Sequence, residues 1–262
     1  MSRLHLTFAC EGSTLAATLD TAPLTSGLLL VSGGNELRSG AFRGQARLAQ
    51  TIAKRGFPVF RYDRRGVGDS EGENLGFTQS EPDIRAAIEA FRAIAPQVKR
   101  VVALGNCDAA SALMLASGAG CDALVLSNPW TIEDDDAEDD TPPPQAIRAR
   151  YLQKLGNPRE VMRLLGGGVN LRKLAHGLAR AARPAPGASD LASRMRKGLE
   201  RFDGNVSILL ASSDRTAQVF DAVWPKDDPR VSHCEGAGHA FAEPHARDWL
   251  EARLVEVLRA SP

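Results

Sequence analysis

An apolar run, Val101-Val102-Ala103-Leu104, passes directly into Gly105-Asn106-Cys107-Asp108-Ala109 and then into a stretch of small residues reaching Ser117. A strand that turns abruptly into a helix and carries a nucleophile at the turn is the form of a nucleophile elbow. The turn is so tight that residues two positions either side of the nucleophile must be small, and Gly105 and Ala109 are. A thiol at a helix N-terminus meets free amides and the positive end of the helix dipole, which favour the reactive thiolate. The plain alternative is a structural cysteine, since free cysteines are among the most buried residue types.

A thiol nucleophile needs a base, an acid that orients the base, and donors for the oxyanion. In a strand-to-helix elbow architecture these follow in the chain order nucleophile, acid, base. Asp214 comes just after the apolar run that ends at Ala211, and His239 stands in the glycine-flanked segment GAGHAF. Asp221, seven residues beyond Asp214, is the alternative acid. The other histidines have poorer positions: His5 in an N-terminal hairpin, His176 in a helical insertion, His233 on a strand and His245 on the last helix. The expected oxyanion donors are the amide of Asp108 and that of Gly34 in VSGGNELRSG, with Asn35 the neighbouring alternative and a candidate substrate contact. An ordinary glycine-rich turn is the plain reading of that loop.

These residues need a sheet to bring them together. Two alternating stretches, LHLTFA and TLAATL, joined at Glu11-Gly12, predict an antiparallel hairpin at a sheet edge. After it come short apolar runs at Leu28 to Val31, Pro58 to Tyr62, Arg100 to Leu104, Ala123 to Leu126 and Val206 to Ala211, as in strands covered on both faces. Helical spacing at Phe42 to Lys54 and at Glu81 to Ala95 separates the early ones, the second opened by a capping box, Ser80-Glu81-Pro82-Asp83. A final helix is expected over Glu243 to Leu258. Alternation of this kind predicts an α/β fold with a mainly parallel, doubly wound sheet. The rhythm breaks after Trp130, where EDDDAEDD (133–140) runs into Pro142-Pro143-Pro144, and strand character returns only at Val206. The expected organisation is therefore a core of 1–130 and 204–262, with 131–203 a helical cap laid over the strand C-termini. Residues 141–201 hold thirteen Lys and Arg against three Asp and Glu, a net of +10 that the seven carboxylates before them nearly offset. Either this is a solvated helical face or its arginines, Arg148, Arg150 and Arg163 among them, meet an anionic acyl carrier or sugar acid.

Composition narrows the classes further. Thirty-two basic residues balance thirty-two acidic ones, so no global field favours nucleic acid or a membrane surface. No apolar run approaches the ~20 residues that span a bilayer. The N-terminus MSRLHLTFACEG lacks the apolar core of a secretory signal, which predicts a cytoplasmic protein. Cys10, Cys107, Cys121 and Cys234 are scattered without a CxxC pair, so reduced thiols are expected. No His and Cys cluster has metal-ligand spacing, and neither metal nor cofactor is expected. Gly66-Val67-Gly68-Asp69-Ser70-Glu71-Gly72 matches no phosphate-loop spacing and reads as a structural turn, and EDDDAEDD reads as a solvated hinge, because eight consecutive positions cannot all face one ion.

Taken in order, LLLVSGG, FRYDRRGVGDSEG, LGNCDAAS, ASSD and GAGHAF resemble the motifs of the α/β-hydrolase superfamily over residues 27–129 and 205–260. More narrowly, SGGNELRSGAFRG, YDRRGVGDSEG and GNCDAAS resemble the exosortase A system-associated hydrolase type 1 family, encoded in bacterial loci for exopolysaccharide production and protein sorting. The departures are Cys107 where most α/β-hydrolases have serine, Ala109 where many have a second glycine, and Ser32 where a histidine is frequent; cysteine elbows also occur in dienelactone hydrolases. The resemblance and the residues together predict hydrolysis of an ester or thioester carried by a small molecule or an acyl carrier. Cys107 would attack, His239 act as base, Asp214 hold the imidazolium, and the Asp108 and Gly34 amides hold the oxyanion. Transfer of the acyl group to a sugar hydroxyl would use the same residues. A non-catalytic scaffold has no need of all three side chains.

Overall fold

The computed structural model describes residues 2–132 and 190–260. Among them one sheet of eight strands forms: β1 (Arg3–Cys10), β2 (Ser13–Asp20), β3 (Ser26–Val31), β4 (Val59–Tyr62), β5 (Arg100–Asn106), β6 (Ala123–Ser127), β7 (Asn205–Ala211) and β8 (Val231–Cys234). Their order is β1-β2-β4-β3-β5-β6-β7-β8. The hairpin β1–β2 joins the sheet through antiparallel pairing of β2 with β4, and every later pairing is parallel. The chain is thus the expected α/β fold, mainly parallel with an antiparallel hairpin at one edge.

Side-chain alternation divides the apolar runs between two faces. Leu29, Val31, Phe60, Val101, Ala103, Leu124, Leu126, Ile208 and Leu210 pack with helices α2 (Glu81–Ile94), α3 (Asp108–Leu115) and α4 (Asp190–Glu200). Leu28, Leu30, Val59, Val102, Leu104, Val125, Leu209 and Ala211 pack with α1 (Gly44–Lys54) and α6 (Pro244–Arg259) on the other face. A sixth helix, α5 (Arg215–Val223), follows β7 and stacks Phe220 on Trp224. Runs that are apolar at every position therefore mark strands covered twice, which is why they carry no polar alternation.

Several local expectations differ from the fold. Helix α1 starts at Gly44 rather than Phe42, because Phe42 and Arg43 hold left-handed φ values of 49° and 63° in the turn before it. The capping box at Ser80 does not form. Ser80 Oγ donates to the Phe77 carbonyl at 2.8 Å, while the buried Asp83 carboxylate accepts from the Arg65 backbone N–H at 3.0 Å and its guanidinium at 2.5 Å. A charged partner from a neighbouring loop outcompetes the local cap. Helix α3 ends at Leu115, two residues before Ser117, and a short 3₁₀ turn follows.

The expected cap, 131–203, ends in α4, whose Met195 and Leu199 are buried in the core against α3. The last part of that segment therefore belongs to the core, because its apolar side meets the helix behind the elbow. Residues 133–189, with EDDDAEDD, Arg148, Arg150, Arg163 and the joints expected near 166 and 184, lie outside the described residues.

Helices α3 and α4 approach so closely at Gly198 that a Cβ there would strike the Met114 carbonyl. At an open helical position Gly→Ala stabilises by about 0.5–1 kcal/mol, whereas forced overpacking costs about 1–3 kcal/mol. Gly198→Ala is thus expected to lower the urea midpoint at unchanged m-value, and a raised midpoint would show that the two helices are not in this contact.

Candidate active site

The parallel strands β5, β7 and β8 end at one edge, and Cys107, Asp214 and His239 follow those ends in turn. Cys107 sits between β5 and α3 with φ 60° and ψ −127°. A side-chain-bearing residue holds such a conformation at a cost of about 1–3 kcal/mol, and only where the surroundings fix it. The fixing bonds are backbone ones: Cys107 N–H donates to the Ser127 carbonyl at 3.0 Å, and the Cys107 carbonyl accepts from Ala110 at 3.1 Å and Trp130 at 3.3 Å. Gly105 permits the turn, since a Cβ there would lie 2.7 Å from the backbone of Ala109 and Ala110. Cys107 is half-buried, while Cys10, Cys121 and Cys234 are buried. Burial pushes the Cys10 thiol up to about 11 and the Cys121 thiol up to about 12, and it raises Cys234 as well.

His239 presents Nδ1 to Asp214 Oδ2 at 3.1 Å. Asp214 is 8% exposed and also caps α5, accepting from the Ala217 N–H at 3.0 Å. The Asp214 carboxylate first, and then the Cys107 side chain, favour the imidazolium more than burial disfavours it. Together they push His239 from 6.5 up to about 10. Asp221 faces elsewhere, pairing with Lys226 at 2.7 Å and His233 at 3.3 Å. The geometry brings Cys107, Asp214 and His239 together and leaves Asp221 out.

The loop carrying His239 is held by residues that the sequence reading did not single out. The His239 carbonyl accepts from Asn128 Nδ2 at 3.0 Å and Asn106 Nδ2 at 3.4 Å. Asn128, fully buried with φ 45°, also accepts from the Ala211 N–H at 2.9 Å through Oδ1. Asn106 Oδ1 accepts from Ser127 Oγ at 3.0 Å and Asn128 Nδ2 at 3.2 Å. A polar bridge thus ties the ends of β5, β6 and β7 to the base loop. Its one signal in the sequence is Ser127-Asn128-Pro129 closing an apolar strand, a pattern equally common in turns.

The loop after β3 lies beside the elbow, and the Asp108 carboxylate is on it. Gly34 N–H points at both Asp108 oxygens, at 2.8 and 2.7 Å. Gly33 allows this approach, because a Cβ there would strike Asp108 Oδ1. The Arg64 guanidinium donates to the Gly34 carbonyl and stands 3.8 Å from Asp108 Oδ2. Asn35 accepts from Asn74 Nδ2 at 2.9 Å, pinning the loop to the segment after Gly72. Asp63, fully buried, accepts from the Arg38 N–H at 2.6 Å, the Asp69 N–H at 3.1 Å and the Arg38 guanidinium. That buried carboxylate organises both loops, so the glycine-rich turn 66–72 has a structural partner. Among the described residues no group of three His, Cys, Asp or Glu could hold a metal, and no helix is long and apolar enough to cross a membrane.

Comparison with solved structures gives the same architecture. The chain is similar to the esterase Pf2001 of Pyrococcus furiosus, with TM-score 0.63, 14% identity, and coverage of 98% of this chain and 90% of that one. It is similar to the alpha/beta hydrolase GrgF of Penicillium sp. sh18, with TM-score 0.62, 16% identity, and coverage of 99% and 98%. It is also similar to XC6422 of Xanthomonas campestris, described as a member of a/b serine hydrolase without lid, with TM-score 0.58, 15% identity, and coverage of 100% and 98%. Identities this low establish the fold alone. No curated protein matches by sequence. A family model, the alpha/beta hydrolase family, matches residues 28–253 and so runs from the first parallel strand into the last helix. This chain belongs to the alpha/beta hydrolase family.

Proposed function

We propose that this protein hydrolyses a carboxylic ester or thioester through an acyl-enzyme on Cys107. The observation that carries the reading is the contact of Asp214 with His239 at 3.1 Å, on an imidazole whose proton affinity Cys107 also raises. In this reading the thiol proton passes to His239 and the thiolate attacks the acyl carbon. The carbonyl oxygen then carries the negative charge, held by the amides of Asp108 and Gly34. Collapse of that intermediate breaks the bond to the leaving group, which takes the proton from the imidazolium and leaves a thioester on Cys107. His239 next takes a proton from water, the hydroxide oxygen attacks the thioester, and a carboxylic acid departs as the thiol is restored. The resemblance of SGGNELRSGAFRG and GNCDAAS to exosortase A system-associated hydrolases supports a substrate connected with exopolysaccharide production.

The direct test is intact-mass spectrometry after incubation with a panel of aryl esters and acyl-CoA thioesters. An acyl adduct mapped to Cys107 is expected, and an adduct on another residue, or turnover without one, would refute the covalent route. Cys107→Ala is expected to abolish turnover, and His239→Ala to slow it by on the order of 10²–10⁴-fold. Iodoacetamide should label Cys107 well before Cys10, Cys121 and Cys234, whose thiols are buried and raised. Equal labelling in the folded protein would argue for a structural cysteine.

Asp214→Asn should preserve the fold, because asparagine caps a helix as well as aspartate does. It should nevertheless slow acylation steeply, whereas Asp221→Asn leaves the rate nearly unchanged. The reverse pattern would make Asp221 the acid.

The imidazolium formed when the thiol proton passes to His239 is held up to about pH 10, so the alkaline limb of kcat/KM is expected at about 10, where that imidazolium loses its proton. Asp214 is the first cause of that elevation, so Asp214→Asn should move the alkaline limb down towards the ordinary histidine range near ~6.5. A limb that stays in place in the variant would break the link between the two residues.

A further inference from the structure

Two acceptors compete for the Gly34 N–H. Acyl transfer would direct it at the oxyanion, yet the Asp108 carboxylate already lies on it at 2.8 and 2.7 Å. One N–H carries one hydrogen, so an oxyanion receives it at full strength only when the carboxylate withdraws. A carboxylate left in place would also repel the charge developing beside it. The contact is built into the chain, because Asp108 directly follows Cys107 and Gly33 lacks the Cβ that would exclude it.

A second observation concerns Arg64. Its side chain is 4% exposed, and its Nη1 is buried without a hydrogen-bond partner among the described residues. Its Nη2, which donates to the Gly34 carbonyl, stands 3.8 Å from Asp108 Oδ2, beyond hydrogen-bonding distance. A buried guanidinium nitrogen without an acceptor is costly, and the Asp108 carboxylate, 3.8 Å from the other nitrogen of the same planar guanidinium, is the charged acceptor that a side-chain movement would bring to the group.

We propose that the Asp108 carboxylate is a latch on the oxyanion hole, closed when it takes the Gly34 amide and open when it moves onto the Arg64 guanidinium. The proposal rests on Cys107 as the nucleophile. Asp108 and Arg64 act through the Gly34 amide, so their side chains are positioning groups. Apparent kcat/KM is the intrinsic value multiplied by the open fraction, so the latch selects substrates whose binding displaces the carboxylate. Small esters that bind weakly outside the hole would meet the closed state. Acyl groups with a carboxylate beside the reacting carbonyl would be disfavoured further by repulsion.

Two probes of Cys107 separate the latch from a change in thiol reactivity. Butyraldehyde adds reversibly to the thiol, and the oxygen of the hemithioacetal occupies the oxyanion hole. Iodoacetamide alkylates the thiol at a saturated carbon and uses no oxyanion hole. Asp108→Ala is expected to strengthen aldehyde binding about tenfold relative to any change in the alkylation rate. Asp108→Asn should do less, because its carboxamide oxygen still accepts from Gly34 N–H. A latch also predicts coupling: Arg64→Met should weaken aldehyde binding in the unaltered chain and have little effect in the Asp108→Ala background. Arg64→Lys, which keeps the charge and one donor, is the companion should Arg64→Met fail to fold. Equal changes in both probes, or equal effects of Asp108→Ala and Asp108→Asn, would reduce Asp108 to a charge acting on the thiol. Weaker aldehyde binding in Asp108→Ala, or an Arg64 effect of the same size in both backgrounds, would overturn the latch. A Cys107 unreactive towards both probes would remove the nucleophile and the latch with it.

Discussion

The reversal of the chain at Cys107 is the constraint on which the site depends. One non-glycine residue holds φ 60° between the end of β5 and the start of α3, and that conformation persists because both flanks are fixed. Strand β5 is hydrogen-bonded between β3 and β6, and α3 is packed beneath α4, so neither can relax to release the turn. Glycine at 105 and alanine at 109 are the local consequence, and a half-buried thiol at the strand ends is the other. A straighter connection would bury Cys107 in the sheet, as Cys10 and Cys121 are buried.

Around this turn the polar groups form one continuous layer. Asn106 and Asn128 hold the carbonyl of His239, Asp214 meets its ring, and Asp63 secures the loops after β3 and β4. These bonds join strand ends and loops that lie far apart in the chain, and Asp63 also ties down the loop after its own strand. The sheet's rigidity is thereby transferred to side chains that would otherwise move with separate loops, which is what sub-ångström positioning requires. The raised proton affinity of His239 follows from the same layer, since it needs Asp214 and Cys107 on the same imidazole.

The chain by itself determined the elements and the order of the motifs. Apolar runs such as Leu28 to Val31 and Val101 to Leu104 read as strands covered twice, and the small residues around Cys107 suited a sharp turn. Asp214 and His239 were legible from their places after late strands, but the choice between Asp214 and Asp221 was not. Two aspartates seven residues apart look alike in sequence, and only the packing of α5 turns one towards His239 and the other towards Lys226. The capping box at Ser80 failed for a related reason, because the better partner of Asp83 is an arginine eighteen residues away.

The tertiary structure alone decided what depends on contacts between distant segments. Asn128 acts on His239 across 111 positions, and Asp108 reaches Gly34 across 74. Nothing local to either residue records such a partner, since a buried asparagine and a turn asparagine have the same neighbours in the chain. The sequence could name Gly34 and Asp108 as amide donors because backbone groups follow from the turn itself. It could not show that the Asp108 side chain would cover the Gly34 amide. That contact follows from how far β3 and β5 carry their loops beyond the sheet, a distance that the packing of the strands determines.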